Sequence, residues 1–239
     1  MKKVAVLQSN YIPWKGYFDI IHDVDLFIFH DDLQYTKNDW RNRNKIYTQN
    51  GLSWLSIPVG TNEHRLILDV EMNEKKWQKE HFNKIKLAYS KAPYYKKYID
   101  FLEYVYLEKQ WDYLYELDRF LITQISKEFL GCSTSFGDSR DYNPKGSKHE
   151  KLLNLLINCG ADLYVSGPAA KDYIISEDYK KANIQLAWKN YNGYPEYKQF
   201  NYEFNHNVSI LDLLFHTGDD APYYIWGWRK ENDKSYYLD

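Results

Sequence analysis

The sequence predicts an α/β protein: a mostly parallel central sheet flanked by helices, with a β-hairpin extension and a helical cap. Three observations carry this expectation. Short apolar runs at residues 4–7, 26–29 and 163–165 each break directly into a polar cluster, as strands buried on both faces do. Stretches with apolar residues at helical spacing separate these runs, the alternation expected of α/β units. Finally, Gln49-Asn50-Gly51 lies between two β-rich runs, residues 45–48 and 54–57, and Asn-Gly in that position is a strong hairpin signal.

In chain order, Val4-Ala5-Val6-Leu7 reads as the first strand and Gln8 to Trp14 as a loop at its carboxyl end. Residues 16–22 follow as a helix, with Tyr17, Phe18, Ile20 and Ile21 apolar, and Leu26-Phe27-Ile28-Phe29 reads as a second strand in a short βαβ unit. Pro58 should end the hairpin. From Glu74 the spacing turns helical: Trp77, Phe82, Ile85 and Tyr89 mark one helix, residues 94–110 a second and 114–130 a third, together a helical insert over about 74–130. Residues 131–146, rich in Ser, Thr, Gly, Asp and Pro, read as a loop. A helix over 147–159, a strand over 163–165, a short strand over 184–187 and a helix over 209–215 complete a single domain spanning residues 1–239.

At 239 residues the chain can bury a full core, and a net charge of −2 supplies no basic field for duplex nucleic acid. Two cysteines, Cys132 and Cys159, form neither a disulfide framework nor a zinc site. The first apolar run is too short for a signal-peptide core and no later run reaches membrane-spanning length, so a cytoplasmic protein without a transmembrane segment is expected. With 24 Tyr and 8 Trp, the chain is rich in side chains that suit sugars and nucleosides, although codon bias also produces such a composition.

Three polar clusters follow three strands: Gln8 to Trp14, His30 to Tyr35, and Ser166 to Asp172. If those strands are parallel neighbours, the clusters gather on one rim of the sheet, where α/β proteins place ligands. Asp31-Asp32 invites a metal reading, which ranks below hydrogen bonding or general-base work, and no metal is assigned. His30 is a second candidate acid or base, and equally a structural histidine. Trp40-Arg41-Asn42-Arg43-Asn44-Lys45 sets three cations beside two amides, suited to phosphate or carboxylate. His64 and Arg65 could meet such a group as well. Ser166-Gly167-Pro168 with Lys171 lacks Walker spacing, yet Gly167 permits close backbone approach and Lys171 supplies charge.

Taken together these clusters resemble the WbqC-like family, bacterial proteins encoded among surface-polysaccharide (O-antigen and capsule) genes. The matching stretches are Gln8 to Phe18, Asp31 to Tyr35, Trp40 to Asn44, Gly160 to Pro168, Tyr194 to Gln199, and Ser209 to Phe215. Where the family often shows His-Gln-Pro this chain has Leu7-Gln8-Ser9, which excludes a catalytic histidine at position 7. The resemblance implies transfer of an aminoacyl group such as glycine, or another acyl group, to an amino sugar carried on a nucleotide or lipid diphosphate. Such chemistry needs a base and donors for an oxyanion. Asp31 or Asp32 is the expected base with His30 in reserve, and Gln8, Asn10 and Gln34 are the orienting and oxyanion groups. Arg41, Arg43 and Lys171 are expected to hold phosphate or carboxylate, with Asn44, Ser166 and Gly167 lining the site and Tyr11, Trp14 and Tyr35 stacking on sugar or base. One alternative is an adenylating ligase of nucleotidyltransferase type, although Trp14-Lys15-Gly16-Tyr17 lacks the histidines of a His-x-Gly-His signature. The other is a non-catalytic glycan-binding scaffold.

Overall fold

In the computed structural model, residues 1–200, 203–230 and 233–239 are described. The first apolar run forms β1 (Lys3–Leu7) and the second β2 (Leu26–Phe29), joined through helix α1 (Lys15–His22). Each pairs in parallel, Val4 opposite Leu26 and Leu7 opposite Phe29. The hairpin forms as β3 (Arg43–Thr48) and β4 (Gly51–Ser56), with Gln49 and Asn50 as its turn. Gly51 opens the return strand at φ +90°, a conformation that only glycine adopts without strain.

The cap follows as α2 (Lys76–Tyr89), α3 (Ile99–Glu103) and α4 (Leu114–Gln124), the last two each running on into a wider π-type turn. The second cap helix therefore starts at Ile99, not residue 94, because Tyr95–Lys97 is a separate tight turn. The stretch expected to be loop contains β5 (Ser135–Asp138), an edge strand parallel to β2. Its single apolar side chain, Phe136, leaves no hydrophobic run to read. Helix α5 (Lys148–Asn158) leads to β6 (Leu163–Ser166), and α6 (Ser176–Lys181) leads to β7 (Gln185–Lys189). Helix α7 (Ile210–Thr217) packs on the cap side, and β8 (Tyr236–Leu238), not anticipated from sequence, adds an antiparallel edge to β7.

The sheet order is β5-β2-β1-β6-β7-β8, parallel except at β8. Strand alternation divides the core. Ala5, Phe27, Phe29, Leu163, Val165 and Ala187 pack with α1, the cap and α7, while Val4, Val6, Leu26, Ile28, Tyr164, Leu186 and Trp188 pack with α5 and α6. Buried Asp19 locks α1 to the far strands, holding Lys189 at 2.9 Å and Arg229 at 2.8 Å. The chain runs outward from β1 to β2, then crosses to β6 on the other side of β1, so the order reverses beside the central strand. Such a reversal opens a crevice at the carboxyl strand ends.

Candidate active site

Since β1, β2 and β6 are parallel neighbours, the loops beginning at Gln8, His30 and Gly167 leave the same rim. The first loop is bent tightly. Ile12, β-branched and fully buried, sits at φ +37°, a costly conformation for such a residue. Asn44 at the start of the hairpin holds it there: its amide nitrogen donates to the carbonyls of Tyr11 at 3.1 Å and Ile12 at 2.8 Å. Trp14 then folds over the first turn of α1. A Cβ at Gly16 would lie 2.2 Å from its indole, so the Trp-Lys-Gly spacing is a packing requirement.

This bend brings Asn10 and Gln8 to Arg41, whose guanidinium donates to both side-chain oxygens. Asn10, Pro13, Trp14, Trp40, Asn44 and Asn207 line an open cleft of about 260 Å³ at this point. Larger hollows run along the β7–β8 edge, but they lie at a sheet margin, away from this convergence of polar groups.

Behind Gln8 the polar network continues inward. The Tyr17 hydroxyl donates to the Gln8 carbonyl at 2.8 Å. Fully buried Asp31 accepts from the Ser9 amide at 2.7 Å on one oxygen and from Arg119 Nε at 2.7 Å on the other. Arg119 also bonds Asp138 at the tip of β5. Asp118, next to it on α4, is fully buried, and among the described residues neither of its carboxyl oxygens has a hydrogen-bond partner. Burial, aided by the nearby Asp31 charge and opposed by Arg41, pushes its carboxyl well above the usual range. Ser9 Oγ, Arg41 Nε and Arg119 Nη2 are likewise buried and unpartnered among the described residues. The Tyr17 hydroxyl, itself pushed up mainly by burial, lies in the fields of Asp31, Arg41, Asp118 and Arg119 together. Interior polar atoms normally find partners, and these unmet donors and acceptors lie behind the Gln8–Asn10–Arg41 contact.

The remaining expected residues divide. Asp32 turns from Asp31 toward α5, accepting from Lys151 at 2.6 Å and from Ser139, with His30 Nε2 3.6 Å away. Burial opposes its charge, but the Lys151 and Ser139 bonds hold its carboxyl below the ordinary range. His30 is buried, which lowers its pKa despite Asp32. The adjacent carboxylates thus serve different cations and do not form a paired site. No cluster of three or more metal-ligating side chains occurs among the described residues.

Tyr11 and Tyr35 do not present faces to a ligand. Tyr11 is fully buried, its hydroxyl bonded to Tyr106 at 2.6 Å and His81 at 2.8 Å, and buried Tyr35 lies under the Arg65 guanidinium. Both rings belong to the core. The Arg65 guanidinium also donates to the Val59 carbonyl. Gln34 is exposed and bridges Leu66, and the Arg43 guanidinium stacks 4.4 Å from the Trp54 ring. Ser166 is buried against the Tyr164 hydroxyl. Lys171, with its ammonium 5.2 Å from the Trp188 ring, lines a separate hollow that Tyr191 also lines. Trp14 against Tyr191, 5.3 Å between centroids, stands between that hollow and the Asn10 cleft.

Sequence reasoning passed over Asp118, Arg119, Asp138 and Lys15. The signal for Asp118 was present: it falls on the apolar face of α4 with Leu114, Leu117, Leu121 and Ile122. Lys15 is buried with its ammonium 4.8 Å from the Tyr194 ring, and burial lowers its pKa to about 8 against the pull of Asp19 and Glu196.

A family model for the WbqC-like protein family matches residues 8–224, spanning every one of these groups. The chain belongs to the WbqC-like family. It is 44% identical over 227 residues to the uncharacterized protein Rv1507c of Mycobacterium tuberculosis (strain ATCC 25618 / H37Rv), an alignment covering 94% of this chain and 98% of that protein. No solved structure matches the chain. Among the described residues, no helix of this WbqC-like protein is long and apolar enough to cross a membrane.

Proposed function

We propose that this WbqC-like protein is a surface-polysaccharide biosynthesis enzyme that transfers an aminoacyl or other acyl group to an amino sugar carried on a nucleotide or lipid diphosphate. The observation that carries the reading is the meeting of Gln8 and Arg41 with Asn10, which lines the cleft, backed by Asp31, Arg119 and buried Asp118.

Acyl transfer to an amine forms a C–N bond, breaks the bond to the leaving group, and moves a proton from nitrogen to that group. A tetrahedral oxyanion develops between the two steps. Arg41 and the Asn10 amide are the donors for it. Asp31 is the member of the Asp-Asp pair bonded to the Ser9 amide, in the loop that carries Gln8 and Asn10. Its carboxylate has about four lone-pair sites, so the Ser9 and Arg119 bonds leave capacity for the amine proton. Asp118, with its carboxyl raised chiefly by burial, is the acid of the set. Trp14 supplies the apolar wall for the sugar.

The test is product mass. The protein is incubated with nucleotide-linked amino sugars and a panel of acyl donors, including acyl thioesters and activated amino acids. An amino sugar heavier by one acyl group is expected, with Asp31→Asn slowing turnover by about 10²–10⁴-fold. Pyrophosphate release from ATP on adding an amino acid would move the assignment to an adenylating ligase. Sugar-nucleotide binding without product from any donor would leave a binding scaffold.

A further inference from the structure

The hairpin alternates its side chains between two faces. Asn44, Ile46 and Leu55 point inward and are buried. Arg43 and Lys45 lie on the other face, with Trp54 directly across from Lys45. Trp54 is 38% exposed, with the Arg43 guanidinium 4.4 Å and the Lys45 ammonium 4.9 Å from its ring centre. Trp40, 43% exposed, lies 5.6 Å from Trp54 at a 38° tilt. Trp40 also lines the Asn10 cleft, so this open shelf of two indoles and two cations is continuous with it. The Lys84 ammonium donates to the Trp54 carbonyl at 2.8 Å and ties this strand to α2.

We propose that the shelf binds the nucleoside diphosphate half of an activated substrate, with the base stacked on Trp40 and Trp54, the diphosphate along Arg43 and Lys45, and the remainder entering the cleft beside Asn10. This rests on the functional reading above and specifies how its acceptor is carried. Both parts of the shelf are needed to choose the ligand. A free pyranose would leave the cations unmatched, and inorganic pyrophosphate would leave the indoles uncovered. At their separation and tilt no ring fits between the two tryptophans. Stacking of this kind tolerates different bases, while arginine and lysine supply the anion contacts.

Isothermal titration of UDP, GDP and dTDP into the full chain tests this. At least one should bind saturably, and Trp54→Ala should weaken it by about tenfold or more. Trp54→Phe, which keeps a stacking face, should retain most of the affinity and guards against misreading a folding defect. Arg43→Gln with Lys45→Gln should weaken the diphosphate far more than the corresponding nucleoside. The proposal is overturned if none of the three diphosphates binds, if Trp54→Ala binds as the wild type does, or if pyrophosphate or free N-acetylglucosamine competes as well as the nucleotide. Acyl transfer with unchanged nucleotide affinity in Trp54→Ala would remove the shelf and keep the enzyme assignment. Nucleotide binding lost in Trp54→Ala, with no acyl transfer in the wild type, would do the reverse.

Discussion

Asp118 costs stability in a way that only a function repays. It is fully buried with both oxygens unpartnered, and its raised pKa means that the folded state keeps a proton which the unfolded chain gives up near the ordinary value of 3.8. The sign follows from linkage: a raised carboxyl favours folding below the unfolded pKa, and that contribution drains away as pH rises toward the folded value. At neutral pH the group therefore destabilises the protein relative to an uncharged isostere. Asp118→Asn should melt higher than the wild type at pH 7 to 8, with the gap shrinking toward pH 4, and should turn over more slowly, the familiar opposition of stability and activity. Thermal melts across that range decide it: equal or lower midpoints for the variant at pH 8 would show that the carboxyl has partners in solution and is no proton store.

Among the elements, the loop from Gln8 to Trp14 bears the most strain and depends on an outside support. Its Ile12 backbone is held by a single side chain, Asn44, reaching from β3 to two successive carbonyls. Replacing Asn44 by Ala leaves both carbonyls buried without that donor, a loss of roughly 2–6 kcal/mol if each counts as an ordinary unsatisfied group. Asn10 would then lose its position against Arg41, so stability and kcat/KM should fall together, and denaturant unfolding with parallel kinetics checks both. An Asn44→Ala protein of wild-type stability would mean that burial of Ile12 alone fixes the bend. None of this was legible in the sequence, where Tyr11-Ile12-Pro13 reads as an ordinary loop, because a positive φ on a β-branched residue leaves no compositional mark. Asp118 did leave a mark, falling on the apolar face of α4 with Leu114, Leu117, Leu121 and Ile122, but what surrounds it emerges only once the helix is docked.

At the scale of the whole molecule, the sheet was the readable part. β1, β2 and β6 are apolar on both faces and announce themselves as runs, and their parallel adjacency gathers the three following loops on one rim. β5 and β8 are edge strands with too few inward apolar residues to show a pattern. The rim itself is finer-grained than strand order can tell, since loops that leave one edge still face different hollows. Trp14 and Tyr191 divide it, with Arg41 on one side and Lys171 on the other, while Asp32 faces α5. This division predicts unequal effects from cations that look equivalent in sequence. Arg41→Gln removes the donor that joins Gln8 to Asn10 and should lower kcat/KM for acyl transfer by about 100-fold or more, in the range of a lost oxyanion contact. Lys171→Gln, across the wall, should change it by less than about threefold, as expected of a residue outside the reacting site. The two variants measured side by side locate the active centre: a large loss from Lys171→Gln with near-normal turnover in Arg41→Gln would put the chemistry in the hollow lined by Tyr191 and Trp188, not in the cleft beside Asn10.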